Sequence, residues 1–315
     1  MAEKEEGAIG GQAVIEGVMF KSRRGWAVAV REPGGEIRLK CEPLKARAGE
    51  KIPFVRGAFI LFYTLLLGMR ALEFSAQVAV GLDAENQKGE KPISALQMGI
   101  TLAVSLAAAA GLFLALPLYA AKLLAAVFPS VASSGLLFNL ADGLVRAALF
   151  LLYIWAIGMW KEIGRIFEYH GAEHKVIHAY EREGGMEIER IKQESRRHPR
   201  CGTSFLLIVL VLSVLVFSVI PHGWPFYLKL LSRLVLAPVL AGLSYEVLKA
   251  GARWEKNPFM RLMVLPGLAL QGLTTGEPDE KQIEVSLRAF EGVMTFTDMT
   301  PGARGDVMPA GEPMK

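Results

Sequence analysis

Only two cysteines, Cys41 and Cys201, occur among the 315 residues. That excludes a disulfide-stapled scaffold. There is no CxxC pair, so a zinc ribbon is excluded as well. No apolar run follows the acidic start Met1-Ala2-Glu3-Lys4-Glu5-Glu6, and a cleaved signal peptide is not expected. Charge of one sign is scarce: 35 Lys and Arg against 31 Asp and Glu leave a net charge of +4. So small an excess gives no argument for nucleic acid, and no such partner is expected. There is no GxxxxGK[ST] loop to cradle phosphates. No internal repeat is visible, which speaks against a transporter built from inverted halves.

Apolar residues are plentiful. They make up 52% of the chain, against 21% charged, and the mean hydropathy is +0.33. Disordered chains carry far less apolar surface, and ordinary cytosolic globules rarely reach this hydropathy. Pro92 to Ala121 is an uncharged run of 30 residues, and Cys201 to Leu228 is another of 28. Residues 136–160 and 226–248 are two further candidates, each long enough to cross a bilayer that needs about 20 residues. In the first run, Pro117 is expected to kink or end the helix. Asp142 and Arg146 lie four apart within the second and can pair on one face. Lys229 and Arg233 near the start of the last are expected to snorkel toward headgroups. Glu246 near its end is an acid at membrane depth, a site candidate by default. Residues 53–80 look helical, but their uncharged core, Gly57 to Met69, is only 13 residues. That length suits an interfacial or re-entrant helix.

Basic residues sort by side. Residues 1–52 carry ten Lys and Arg, 161–202 carry nine and 249–315 carry eight, whereas the connectors 119–143 and 221–232 carry one each. The positive-inside rule then places both termini in the cytoplasm. The expected fold is mainly α: a multi-pass bundle of about four spans plus an interfacial helix, with a small β-containing N-terminal cytosolic cap. The expected divisions are a β-rich cap over 1–52, the interfacial helix over 53–80, and a bundle over 93–250 with a helical insert at 161–202. A cytosolic or interfacial segment over 251–299 and a mobile tail over 300–315 follow. Within the cap, Ile9 to Phe20 reads as a strand carrying Glu16. Ala27 to Val30, Pro33-Gly34-Gly35 and Ile37 to Leu39 read as a hairpin. Residues 258–275, broken by Pro266-Gly267, suggest a half-buried hairpin, and 279–294 a short amphipathic helix.

Histidine is rare but grouped. Three of the five fall in Tyr169-His170-Gly171-Ala172-Glu173-His174-Lys175-Val176-Ile177-His178. At 100° per residue, His170, His174 and His178 sit at about 0°, 40° and 80°, with Glu181 at about 20°. Two imidazoles at i and i+4 can hold one metal ion. His198-Pro199-Arg200-Cys201 adds an imidazole and a thiol just before the third span. A thiolate with imidazoles favours zinc. The expected ligand set is His170, His174, His198 and Cys201. The string His170-x-x-Glu173-His174 also fits the inverted zincin pattern, with Glu173 as base. The competing reading is a juxtamembrane helix that meets headgroups or caps a bundle, and Gly171 would weaken that helix by about 1 kcal/mol relative to Ala. Gly10 and Gly11 allow close backbone approach before Gln12 and Glu16, and Glu16 is a second candidate base. Gln271, Thr274, Thr275 and Glu277 gather polar groups after an apolar segment, where a cap and turn is the plainer explanation.

The segments IGGQAVIEGVMF (9–20), YHGAEHKVIHAYE (169–181), RHPRCGTSFLLIV (197–209) and LPGLALQGLTTGEPD (265–279) together make the chain resemble the bacterial YqhQ-like membrane proteins, the domain-of-unknown-function family 1385. The resemblance runs from about residue 8 to residue 293. It implies a multi-pass membrane protein and leaves the activity open. His170, Glu173 and His174 match one motif, His198, Arg200, Cys201 and Gly202 a second, and Gln12 and Glu16 a third. Gln271, Thr274, Thr275, Glu277 and Asp279 match the last. His178 falls outside the motif despite its helical angle. Two departures show: Phe20 stands where Met is usual, and Gly276 where a basic residue is expected. The second departure argues against an ionic contact from that loop. Three functions follow in order: a zinc enzyme hydrolysing an amide, ester or lipid headgroup bond, a non-catalytic membrane scaffold or assembly factor, and a transporter using Asp142, Arg146 and Glu246.

Overall fold

The structure is a computed structural model that describes residues 9–44, 55–81, 95–182, 185–199, 201–221, 223–253 and 258–297. The expected linker at 83–92 and the tail from residue 300 lie outside the described residues.

Four strands open the chain: β1 (Gly10–Val14), β2 (Gly17–Lys21), β3 (Gly25–Arg31) and β4 (Ile37–Pro43). They form an antiparallel meander in sequence order. The β3–β4 hairpin turns through Gly35 at φ 95°, a conformation glycine adopts without a Cβ penalty. The single strand expected over Ile9 to Phe20 is in fact two. Val14 pairs with Gly17, and Ile15-Glu16 form the turn between them. Glu16 sits there at φ 51°, a left-handed position that costs a non-glycine residue about 1 kcal/mol.

Side chains alternate across a strand, so the sheet has two apolar faces. Trp26, Val28 and Val30 meet Leu67, Ala71 and Val78 of α1 (Val55–Ala79). Val18, Phe20, Ala27 and Ala29 meet a second layer. That layer comprises α6 (Lys161–Glu181), the short α7 (Ile188–Lys192) and α11 (Glu280–Thr297). It contributes Tyr169, Val176, Ile191, Ile283, Phe290 and others. The cap is therefore assembled from the start, middle and end of the chain, which is how so short a sheet gains a core.

The remaining helices form an apolar bundle. α2 (Ala95–Ala110) runs through a π turn at Gly111–Ala115 into α3 (Leu116–Val127). Pro117 does not end this helix. The widened turn just before it relieves the missing N–H and the ring clash that proline brings. A short α4 (Pro129–Ser133) leads to α5 (Gly135–Gly158), whose first turn is capped by the Ser134 hydroxyl. α8 (Gly202–Ser218) and α9 (Phe226–Arg253) follow. α10 (Pro258–Thr274) is a continuous helix and not the half-buried hairpin expected, with Pro266 inside it.

Among the described residues, three helical stretches are long and apolar enough to cross a membrane: Gly99–Val127, Gly135–Gly158 and Phe226–Leu248. Gly202–Ser218 is apolar but shorter. Leu144, Leu215, Val235 and Val239 stand bare on these helices. So much exposed apolar surface belongs against lipid. The chain is mainly α, with a small N-terminal sheet and membrane-type helices.

One polar cluster ties the bundle together. Asp142 takes Arg146 at 2.5 Å on one oxygen and Arg233 at 2.9 Å on the other. Arg146 also donates to Ser213 Oγ at 2.7 Å, and the Phe217 ring lies 4.9 and 5.1 Å from the two guanidinium carbons. The Asp142–Arg146 pair stands as expected. Arg233 does not snorkel: it is 1% exposed, because it lies two turns inside α9 and finds a carboxylate there.

Candidate metal centre

α6 follows the second membrane-type helix, and Cys201 is the N-cap of α8. The centre therefore forms where one apolar helix ends and the next begins. α6 is unbroken at Gly171, and the structure gives that glycine a reason. A Cβ there would stand 2.1 Å from the Gly276 carbonyl oxygen. Gly276 answers it: a Cβ at 276 would crowd Glu168, and its own N–H donates to the Phe167 carbonyl at 2.7 Å. The missing side chains let residues 274–279 lie directly across α6.

That crossing orients the histidines. His170 Nδ1 donates to the Thr274 carbonyl at 2.8 Å, and His174 Nδ1 to the Arg196 carbonyl at 2.6 Å. Each ring is thereby left with Nε2 as its lone-pair nitrogen. Backbone carbonyls holding the far nitrogen are how metal-binding imidazoles are usually fixed. His170, His174 and Cys201 make a compact triad, with one ligand atom from each within 4.8 Å of the others. His170 Nε2 stands 3.3 Å from the sulfur. Tetrahedral zinc separates a nitrogen from a sulfur ligand by about 3.5 Å. His174 Nε2 is buried without a hydrogen-bond partner, a costly state unless an ion takes the lone pair. The residues present fit a metal ion.

The expected fourth ligand is not in this triad. His198 lies beside it, its ring centroid 5.8 Å from that of His174. It joins a separate group with His178 and Glu181. Cys201 N donates to the His198 carbonyl at 3.2 Å, yet the two side chains join different groups. The triad thus offers three protein donors, with a fourth position available.

Glu173 is 5% exposed, and its Oε2 lies 4.0 Å from His170 Nε2. Burial pushes its carboxyl up to about 7, against the opposing pull of His170 and of a hydrogen bond from the Gly11 N–H. A Cβ at Gly11 would come within 2.6 Å of that carboxyl group. The close approach expected at the glycine pair is therefore made to Glu173.

The other candidates have structural partners. Glu16 is gripped by Arg165 with both oxygens, one of them at 2.5 Å, and lies 3.4 Å from the Tyr169 hydroxyl. Burial, and after it that carboxylate, raise the Tyr169 phenol above its ordinary value. Gln12 lies over Gly68 of α1, where a Cβ would meet its amide oxygen at 2.4 Å. Gln271 is fully buried and clasps His198 twice, accepting from its N–H and donating to its carbonyl, both at 2.8 Å. Thr274 supplies the carbonyl for His170, and the Thr275 carbonyl accepts from Arg196 at 3.1 Å. Glu277 pairs with the buried Lys175 at 2.6 Å, so the loop does make an ionic contact despite Gly276. Asp279 caps α11 reciprocally with Gln282 at 2.7 and 2.8 Å. Glu246 is half-buried in α9 and has an interaction partner of its own.

Sequence reasoning missed Lys175, Arg165 and the carbonyls of Arg196 and Arg197. His178 and Glu181 carried a usable signal, their helical angles, but were not put forward as ligands.

Residues 52–296 match the family described as "Protein of unknown function (DUF1385)". A Bacillus subtilis (strain 168) protein described as "Uncharacterized protein YqhQ" is 35% identical over 299 residues, covering 91% of this chain and 92% of the relative. No solved structure matches the chain.

Proposed function

We propose that this chain, which belongs to the DUF1385 family, is a multi-pass membrane hydrolase with a zinc-type centre at the cytosolic end of its bundle. In this reading Gly202–Ser218 is a fourth span, α1 lies at the interface and both termini are cytosolic. The distribution of Lys and Arg supports that topology. The single observation that carries the metal reading is His174: one ring nitrogen is committed to a carbonyl, the other is buried and partnerless, and the residue groups with Cys201 and His170.

His170, His174 and Cys201 would hold the ion. When bound, zinc supplies Lewis acidity, enough to make water a nucleophile near neutral pH. Glu173 takes the proton from the attacking water, and a carboxyl near 7 suits that task. Gly11 holds Glu173 in place through its N–H, and burial excludes bulk solvent around it. Glu16 is a positioning residue: its pairing with Arg165 pins the β1–β2 turn to α6. The substrate class is an amide, ester or lipid headgroup bond brought to the cytosolic face.

The test is metal analysis of protein purified without chelator, paired with Glu173→Gln in a complementation assay. About one equivalent of zinc, and a variant of normal abundance and metal content that fails to complement, support the enzyme. Less than a tenth of an equivalent of any transition metal removes it.

A membrane scaffold is the second reading. The double clasp of Gln271 on His198 favours it, since that contact ties two segments together whether or not a metal binds. There Glu173→Gln complements fully while His170→Ala lowers abundance.

A further inference from the structure

We propose a second divalent-cation site, built from His178, Glu181 and His198 on the turn of α6 next to the first centre. It stands on its own donor set and does not require the first centre to be filled.

Donor atoms of the three residues lie within 4.8 Å of one another. His198 Nε2 is 3.2 Å from Glu181 Oε2, and the His178 and His198 rings are 4.6 Å apart at their centroids. His178 Nε2 donates to the Arg197 carbonyl at 2.9 Å, which leaves Nδ1 as its lone-pair nitrogen. This repeats the device used for His174, whose far nitrogen is held by the carbonyl of the preceding residue, Arg196. Two consecutive carbonyls thus orient two histidines one helical turn apart. His198 is itself immobilised at both its backbone N–H and its carbonyl by Gln271. A histidine so firmly placed loses little further freedom on ligation.

The donor chemistry differs from that of the first centre. Two imidazoles and one carboxylate, with no thiolate, form the set used by non-haem Fe(II) and by other first-row divalent ions with open positions. The Glu181 side chain is 29% exposed while that of His198 is 5% exposed, so the site opens to solvent on one side and gives an ion a way in.

The alternative for these residues is a plain His–Glu hydrogen bond. Cobalt(II) separates the possibilities, because only the Cys201 centre produces a thiolate-to-cobalt charge-transfer band. Detergent-solubilised full-length protein is titrated with cobalt(II), and bound metal is counted after dialysis. The expected result is two equivalents for the native chain and one for His178→Ala, with the charge-transfer band kept. Glu181→Gln, which changes a part-exposed group isosterically, should lower affinity at that site at least tenfold and guards against a folding defect in His178→Ala. One equivalent with the band, unchanged in both variants, overturns the second site and leaves the first. One equivalent without the band, lost in His178→Ala, supports the second site and rejects the first. No bound metal overturns both.

Discussion

Replacing Asp142 by Asn should unfold the bundle far more readily than a one-atom change implies. Both carboxylate oxygens are used, Oδ2 by Arg146 and Oδ1 by Arg233. An Asn can accept from one guanidinium only, and its NH2 must then face the N–H groups of the other. Two arginines that are 5% and 1% exposed would be left with no anion between them. Breaking a buried pair from one side costs about 3–5 kcal/mol. For a chain of this size that corresponds to a fall in Tm of about 10 °C. Thermal unfolding in detergent, followed by circular dichroism, reads it directly. The triple replacement Asp142→Leu, Arg146→Met and Arg233→Met removes every charge together. It should recover most of the loss, because apolar substitutes for buried ionic groups are often neutral or stabilising. The reasoning fails if Asp142→Asn melts within about 2 °C of the native chain, or if the triple variant is no better than the single one.

Two further predictions concern the site. Glu173 has a folded pKa of about 7, raised from 4.5, so folding favours its protonated form. Its contribution to metal-free stability is complete below about pH 4.5 and is lost as pH rises toward 7. Glu173→Gln cannot titrate: it should match the native chain at pH 4 and exceed it at pH 8 by about 3 kcal/mol. Parallel stability curves for the two proteins across that range would refute the burial argument. Gly171→Ala should raise intrinsic helicity yet weaken metal binding by about 10- to 100-fold, because its methyl group displaces the carbonyl segment that holds His170. Competition with a chelator measures this, and unchanged affinity would show that the crossing of residues 274–279 over α6 does not orient the ring.

Much of this site was legible from one helix. Angles of 100° per residue put His170, His174, His178 and Glu181 on one face, and α6 keeps them there. The partition into two groups was not legible. It depends on His198 and Cys201, an imidazole and a thiol close in sequence that join different groups. The orienting groups were invisible for another reason: the carbonyls of Thr274, Arg196 and Arg197 belong to the backbone, and no side-chain pattern announces them. Glu16 looked like a strand residue because apolar residues flank it on both sides. Its turn is set by the pairing of Val14 with Gly17, which leaves Ile15 and Glu16 as a two-residue connection. Arg233 looked like a snorkelling cation because its carboxylate partner lies 91 residues away.

The carbonyl that turns His170 comes from a residue 104 positions further on. A ribosome therefore finishes both histidines and the cysteine long before it makes the group that aims the first of them. During synthesis His174 already has the carbonyl that holds it, while His170 waits for the last stretch to arrive. A chain cut short after residue 270 would keep every donor atom and the carbonyl that holds His174, and still lack the one that aims His170.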